Sequence, residues 1–215
     1  SLDANTSGSF NTAVGRATLS EATTANNNTA VGYHALISNT TGASNVALGA
    51  NALDAATTVD NNVAIGADAL TSCTTGTANV AIGRFTLASS TTASNNTGVG
   101  HNALGSNTDG TQNVAVGAFA LDANTSGGPN NAVGYSALGV NTTGNDNNAF
   151  GDFTLASNTT GNNNSGFGKN ALASNTTGTE NVAVGGVAGD AITTGQQNTF
   201  VGYAAGSSGN YSFGT

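Results

Sequence analysis

Few side chains in this sequence could do acid–base or ligand chemistry: two histidines, eleven acids, three bases and one cysteine. His34 and His101 would have to meet to hold a metal. They lie four repeat units apart, about 19 Å at about 4.8 Å per stacked coil. Both therefore read as solvated surface residues. Asp60 and Asp68 are near neighbours, which suggests calcium. Calcium solenoids, however, need a dense Asp column at a fixed loop position, and Asp3, Asp54, Asp122 and Asp190 recur in register only in scattered repeats. Glu21, Asp109, Asp146, Asp152 and Glu180 are dispersed, whereas glycoside hydrolysis needs two facing carboxylates in a cleft. No serine stands in a nucleophile-elbow context with a histidine and an acid. Cys73 is alone, in a loop position most often held by Asn. It reads as a casual substitution rather than an intermolecular bridge. The sequence thus nominates no catalytic, cofactor-binding or metal-ligating residue and no cofactor, and the expectation is a protein that is not an enzyme.

What positions these residues is a repeat. Glycine recurs every 17 residues without a break, from Gly15, Gly32 and Gly49 to Gly185 and Gly202. A fixed period of this length marks small structural units stacked on their neighbours. Asn stands four residues before every one of these glycines, from Asn11 to Asn198. A larger apolar residue such as Val14, Ile65, Ile82 or Phe150 immediately precedes it. Ala or Thr follows three residues later, and then Leu, replaced by Gly189 and Gly206 in the last two repeats. Thr sits eight after the glycine in every repeat but the last, which has Asn210.

These columns predict an all-β fold: a parallel β-solenoid or β-roll of 17-residue coils occupying residues 1–215 as a single array of about twelve coils. Each coil is expected to hold two short strands, Asn-Thr-Ala-Val-Gly and x-Ala-Leu-x, joined by Gly/Asn/Thr turns. Twelve coils at about 4.8 Å make a rod roughly 58 Å long. The fixed glycine either takes positive φ or allows a close approach, and the Asn columns can form hydrogen-bonded ladders. Alternation puts Val14 and Thr12 on one face of the strand and the Ala column (Ala13, Ala30, Ala47) on the other. The Val/Ile column is read as buried, the Ala column as lying close against another backbone, and the Ala/Thr faces as buried against sister chains. In the longer loop, Asn and Gly occur together (Asn39 with Gly42, Asn107 with Gly110) and are lost together at Ala22/Ala25, Ala56/Val59 and Ser90/Ala93. That covariation predicts two loop conformations and a two-coil superperiod in the N-terminal half. Asn210 to Gly214 repeats the signature early, so the final loop is read as shortened. The first residues fall mid-repeat and Met is absent, so a piece of a longer array is expected.

Two large apolar side chains per coil do not offset the backbone entropy of 17 residues, and aromatic residues are only 6%. A homo-oligomer, three-fold, is therefore expected; the alternative is a single-chain solenoid capped at its ends. Formal charge is −8 with three basic residues, which argues against nucleic acid and against anionic lipid. No apolar run approaches the roughly 18 residues of a membrane span. Asn-x-Ser/Thr sequons at Asn5, Asn39, Asn124, Asn141, Asn158 and Asn175 follow from the Asn-Thr-Thr turn, and offer a glycosylated loop face only in a suitable host. Arg16, Arg84 and Lys169 share the position after the glycine with Tyr33, His101, Tyr135 and Tyr203. That column is read as outward-facing and as the place for weak ligand contacts.

Asn-Thr-Ala-Val-Gly-Tyr-His-Ala-Leu (28–36) followed by Ser-Asn-Thr-Thr-Gly (38–42) resembles repeats of phage tail-fibre-like and bacterial surface proteins that often end in an endosialidase-type chaperone domain. Asn-Val-Ala-Ile-Gly (62–66 and 79–83) is also similar to the head repeats of YadA-type trimeric autotransporter adhesins. That resemblance implies a left-handed parallel β-roll built as a trimer. The period here is longer than the usual head repeat, by an enlarged loop. The leading expectation is a structural shaft or head of an extracellular fibre, a virion tail fibre or cell-surface adhesin, making multivalent contact with a surface glycan or receptor. Alternatives are an ice-binding or carbohydrate-binding β-solenoid, the former suggested by Thr-Thr pairs at 40–41, 57–58, 74–75 and 91–92. A polysaccharide-processing enzyme would need paired carboxylates that the columns do not supply.

Overall fold

In the computed structural model, which describes residues 1–207, each coil contributes one three-residue strand just before its glycine. The strands run from β1 (Thr12–Val14) and β2 (Thr29–Val31), at 17-residue steps, to β12 (Thr199–Val201). They form one parallel sheet in sequence order, each residue paired with its equivalent one coil on, as Ala13 with Ala30. The shortened loop expected at Asn210–Gly214 lies outside the described residues.

The second expected strand is a turn. Its leucines, Leu19 to Leu172, have φ of 50–54°, and the residues two after the glycine, Ala17 to Ala204, have 51–59°. Left-handed backbone costs a non-glycine residue about 1–2 kcal/mol. It turns the leucines into the interior, where they are fully buried, and burial of a leucine contributes about 1.5–3 kcal/mol. The turn also bonds to both neighbouring coils: Leu36 N–H donates to Ala52 O at 3.0 Å and His34 N–H to Arg16 O at 3.1 Å.

The sheet faces are the reverse of the expectation. The Ala column from Ala30 to Ala183 is fully buried inside this chain's own coils, while the Val/Ile/Phe column before the glycine is half-exposed or exposed. The interior is too thin for larger side chains. A Cβ on Gly98, in the Ala column, would lie 2.6 Å from Thr86 Cγ2 across the interior, and one on Gly166 2.5 Å from Thr154 Cγ2. One leucine per coil fills the space, and small residues line the rest. Where Gly189 and Gly206 replace leucine, Phe200 occupies the Ala column and fills the vacated volume. Its ring would meet a Cβ at 2.8 Å on Gly189 and 2.3 Å on Gly206.

Two features hold the coils in register. From Gly15 to Gly185 the column glycines have φ of 131–141°, so they take a conformation closed to other residues and also lie against backbone. A Cβ on Gly117 would meet Gly134 O at 2.3 Å. The Asn column is a continuous buried ladder. Asn130 donates from N–H and Nδ2 to Asn113 Oδ1 (2.9 and 3.2 Å) and from Nδ2 to Gly144 O at 2.8 Å. Only a side chain with a short donor and acceptor can do this, which accounts for Asn in every repeat.

The loop covariation has a packing cause, not two conformations. Ala22 N–H donates to Leu19 O just as Asn39 N–H donates to Leu36 O, and Ala25 O accepts from Asn11 Nδ2 as Gly42 O does from Asn28 Nδ2. Gly42 has no positive φ. A Cβ there would lie 2.3 Å from Val59 O in the next coil and 2.4 Å from Asn39 Oδ1, so the Asn amide adds a side-chain clash to a backbone one, and Ala22, Ala56 and Ser90, which lack that amide, are the residues paired with Ala25, Val59 and Ala93. These loop asparagines form a second ladder from Asn107 to Asn175. Where the next coil offers Ala56 or Ile192 instead of Asn, Asn39 Oδ1 and Asn175 Oδ1 are left without a donor.

This account gives a double-mutant test. Gly144→Ala puts a Cβ 2.4 Å from Asn141 Oδ1 and 2.5 Å from Gly161 O and is expected to cost about 2 kcal/mol or more, of which Asn141→Ala relieves only the amide clash. Asn141→Ala is expected to cost about 1–3 kcal/mol by stranding its partners. Measured by urea denaturation, the pair should cost at least about 1 kcal/mol less than the sum; additive costs would contradict the packing account.

Candidate functional site

The outer face of the sheet carries a column of exposed and half-exposed apolar side chains. Val31, Ile82, Val116, Phe150, Phe167 and Val184 expose 37–42% of their surface in one column, and Phe150 stacks on Phe167 at 5.2 Å with planes 3° apart.

A second surface lies around the turn after the glycine. Arg16, Tyr33, Arg84, His101, Tyr135, Lys169 and Tyr203 are exposed there, as the sequence suggests. The structure adds residues from the next position. Phe85, His101, Phe119, Tyr135 and Phe153 form an aromatic run that zigzags between the two columns over five coils, with centroids 5.2–6.2 Å apart. Such edge-to-face contacts are favourable aromatic geometry. Arg84 caps the run, its Cζ 4.2 Å from the Phe85 centroid, while Arg16 lies 5.6 Å over Tyr33. Sequence reading missed Phe85, Phe119 and Phe153, although their 34-residue spacing matches the two-coil superperiod seen in the loop.

An open cavity of about 510 Å³ lies against this run, lined by Phe119, Tyr135 and Phe153 with Asp122, Ser136 and Val140. Burial raises the Asp122 carboxyl above its ordinary value, opposed by hydrogen bonds from its own and the Ala123 N–H and from Asn102.

Other carboxylates tie coils together. Asp60 Oδ1 accepts from Ala43 N–H (2.7 Å), Asp54 from Thr71 Oγ1 (2.8 Å), Asp68 from Asn51 Nδ2 (3.0 Å) and Asp152 from Tyr135 N–H (2.9 Å). Among the described residues no three His, Cys, Asp or Glu side chains come together to hold a metal, and no helix is long and apolar enough to cross a membrane. His34 stacks on Tyr33 at 3.7 Å, away from His101. The sequons at Asn39, Asn124, Asn141, Asn158 and Asn175 are fully buried, their Nδ2 donating to Gly42, Gly127, Gly144, Gly161 and Gly178 carbonyls. A glycosylated loop face at these positions is therefore incompatible with the fold, and Asn5 alone of the six is exposed. In three of the Thr-Thr pairs the first hydroxyl, of Thr40, Thr74 or Thr91, donates to the next coil's carbonyl, as Thr40 Oγ1 to Thr57 O at 3.1 Å. The second threonine (Thr41, Thr58, Thr75, Thr92) is exposed, so the hydroxyls stand in single file. Comparison with protein-family models, curated proteins and solved structures gave no match.

Cys73 is fully buried in the core. Burial pushes its thiol up to about 11, partly offset by the Gly76 hydrogen bond. The native chain should not react with a disulfide reagent at pH 8, and should release one thiol equivalent in urea. Because the folded value lies above the unfolded one, the linked stability is complete below about 9 and falls as pH rises toward about 11. Cys73→Ser should flatten that slope in pH-dependent denaturation.

Proposed function

We propose that this chain is a structural shaft or head of an extracellular fibre, a virion tail fibre or cell-surface adhesin, working as a homotrimer. The observation that carries this reading is the half-exposed Val/Ile/Phe column along the whole outer sheet face. Contiguous exposed apolar surface marks an interaction site, and a column with the period of the coil fits a sister chain of the same period. The contact would use this outer face, since the Ala column that the sequence assigned to sister chains is already inside. Stacked coils supply stiffness and length, and repeated outward columns supply multivalent contact with a surface glycan or receptor.

Sedimentation equilibrium at micromolar concentration is expected to give three times the 20.7 kDa chain mass. Val116→Asp should shift the mass to that of a monomer while the β-sheet circular dichroism persists. A wild-type monomer would overturn the trimer.

Ice binding is the second reading, drawing on the exposed threonine file. Engagement of the first hydroxyl in three of the four pairs leaves less of the array than the sequence offers. Thermal hysteresis is expected to be absent, and measurable activity would favour this alternative.

A further inference from the structure

The cavity against the aromatic run is complete within one chain, and its chemistry is narrow. Phe119, Tyr135 and Phe153 line it, with Val140, Ala123, Ala156 and Gly139 completing an apolar surface. Adjacent rings are nearly perpendicular, at 78° for Phe119–Tyr135 and 70° for Tyr135–Phe153. Rings so turned wall a corner rather than a flat platform, so more than one π-system can meet a single compact group. The polar residues of the lining are Asp122, Ser136 and Tyr135, and the Asp122 carboxylate accepts from its own and the Ala123 N–H and from Asn102, none of them a cation. Asp122 makes no salt bridge within the described chain, where the only ion pair joins the N-terminal amine to Asp3.

A pyranose stacks on a flat ring face, whereas the rings here are set at 70–78° to one another and only Asp122, Ser136 and Tyr135 are polar. A purely apolar ligand would leave a half-buried carboxylate facing it, which is unfavourable. A cation with an apolar shell satisfies both parts, because the ring quadrupoles attract positive charge and the carboxylate neutralises it. The chain's net charge of −8 adds a field of the same sense. Arg84 over Phe85 shows this aromatic run already seating a cation at its other end.

We propose that the Phe119–Tyr135–Phe153 cavity binds a quaternary ammonium group, with Asp122 as its counter-ion. The site uses columns distinct from the outer sheet face, so it stands or falls separately from the trimer.

The test is isothermal titration of the full chain with choline chloride, against its neutral isostere 3,3-dimethylbutan-1-ol and against methyl glucoside, at matched ionic strength. Choline should saturate one site per chain, at least about fivefold tighter than the isostere, the ratio expected of one cation–π contact. Asp122→Asn should remove most of that preference, Tyr135→Ala should abolish binding, and Tyr33→Ala should leave it intact. Should Tyr135→Ala fail to fold, the near-isosteric Asp122→Asn decides the matter. Equal affinity for choline and the isostere, saturable binding of the glucoside alone, no saturable binding of choline, or a preference unchanged in Asp122→Asn would each overturn the proposal.

Discussion

The carbonyl of one column glycine lies where the Cβ of the preceding one would be, and the rest of the architecture depends on that contact. At Gly117 the distance to Gly134 O from a Cβ position would be 2.3 Å, far inside van der Waals contact. With φ near 135° in the same residues, the backbone bends where coils touch. The sheet hydrogen bonds and the Asn ladder can then close at one spacing in every coil. Each element presupposes this spacing: the ladder needs Asn side chains one coil apart, and the buried leucines need a turn in a fixed place.

The thin interior follows from the same closeness. A cross-section filled by one leucine, alanines and asparagines leaves no room for valine or isoleucine in the strand's inner column, so the strand's branched residues stand outside, while Val59 is buried in the loop beside Ala56. Exposed apolar columns are costly for an isolated rod and useful for an assembled one, and the proposed fibre rests on this. The outward turn is under looser constraint, because its side chains touch few neighbours. It can carry arginine, tyrosine or phenylalanine without disturbing the stack, and local chemistry such as the aromatic cavity arises there.

Much of this was legible in the residues. The period fixed the coil, the invariant Asn implied a ladder, and the glycine column implied close approach. Alternation revealed two faces but could not say which was inside. Apolar bulk ordinarily marks the interior, and here Thr86 and Leu87 approach the Ala column so closely that Ala and Gly98 win. The second strand was misread because leucine in left-handed backbone is uncommon, and nothing in Ala-Leu announces it. The loop covariation was visible, but its cause, a Cβ at Gly42 meeting both the Asn39 amide and the next coil's Val59 carbonyl, requires coordinates. The aromatic run was discoverable from Phe85, Phe119 and Phe153, had their register been compared with that of His101 and Tyr135.

The most direct test is urea denaturation of Gly117→Ala beside Gly186→Ala. Gly186 has ordinary backbone, and a Cβ there would meet nothing closer than Tyr203 Cδ2 at 3.4 Å. Glycine-on-glycine contact predicts a loss of about 3 kcal/mol or more at Gly117 and a change within about 0.5 kcal/mol at Gly186. Equal, small effects at both positions would contradict the claim that this contact sets the coil.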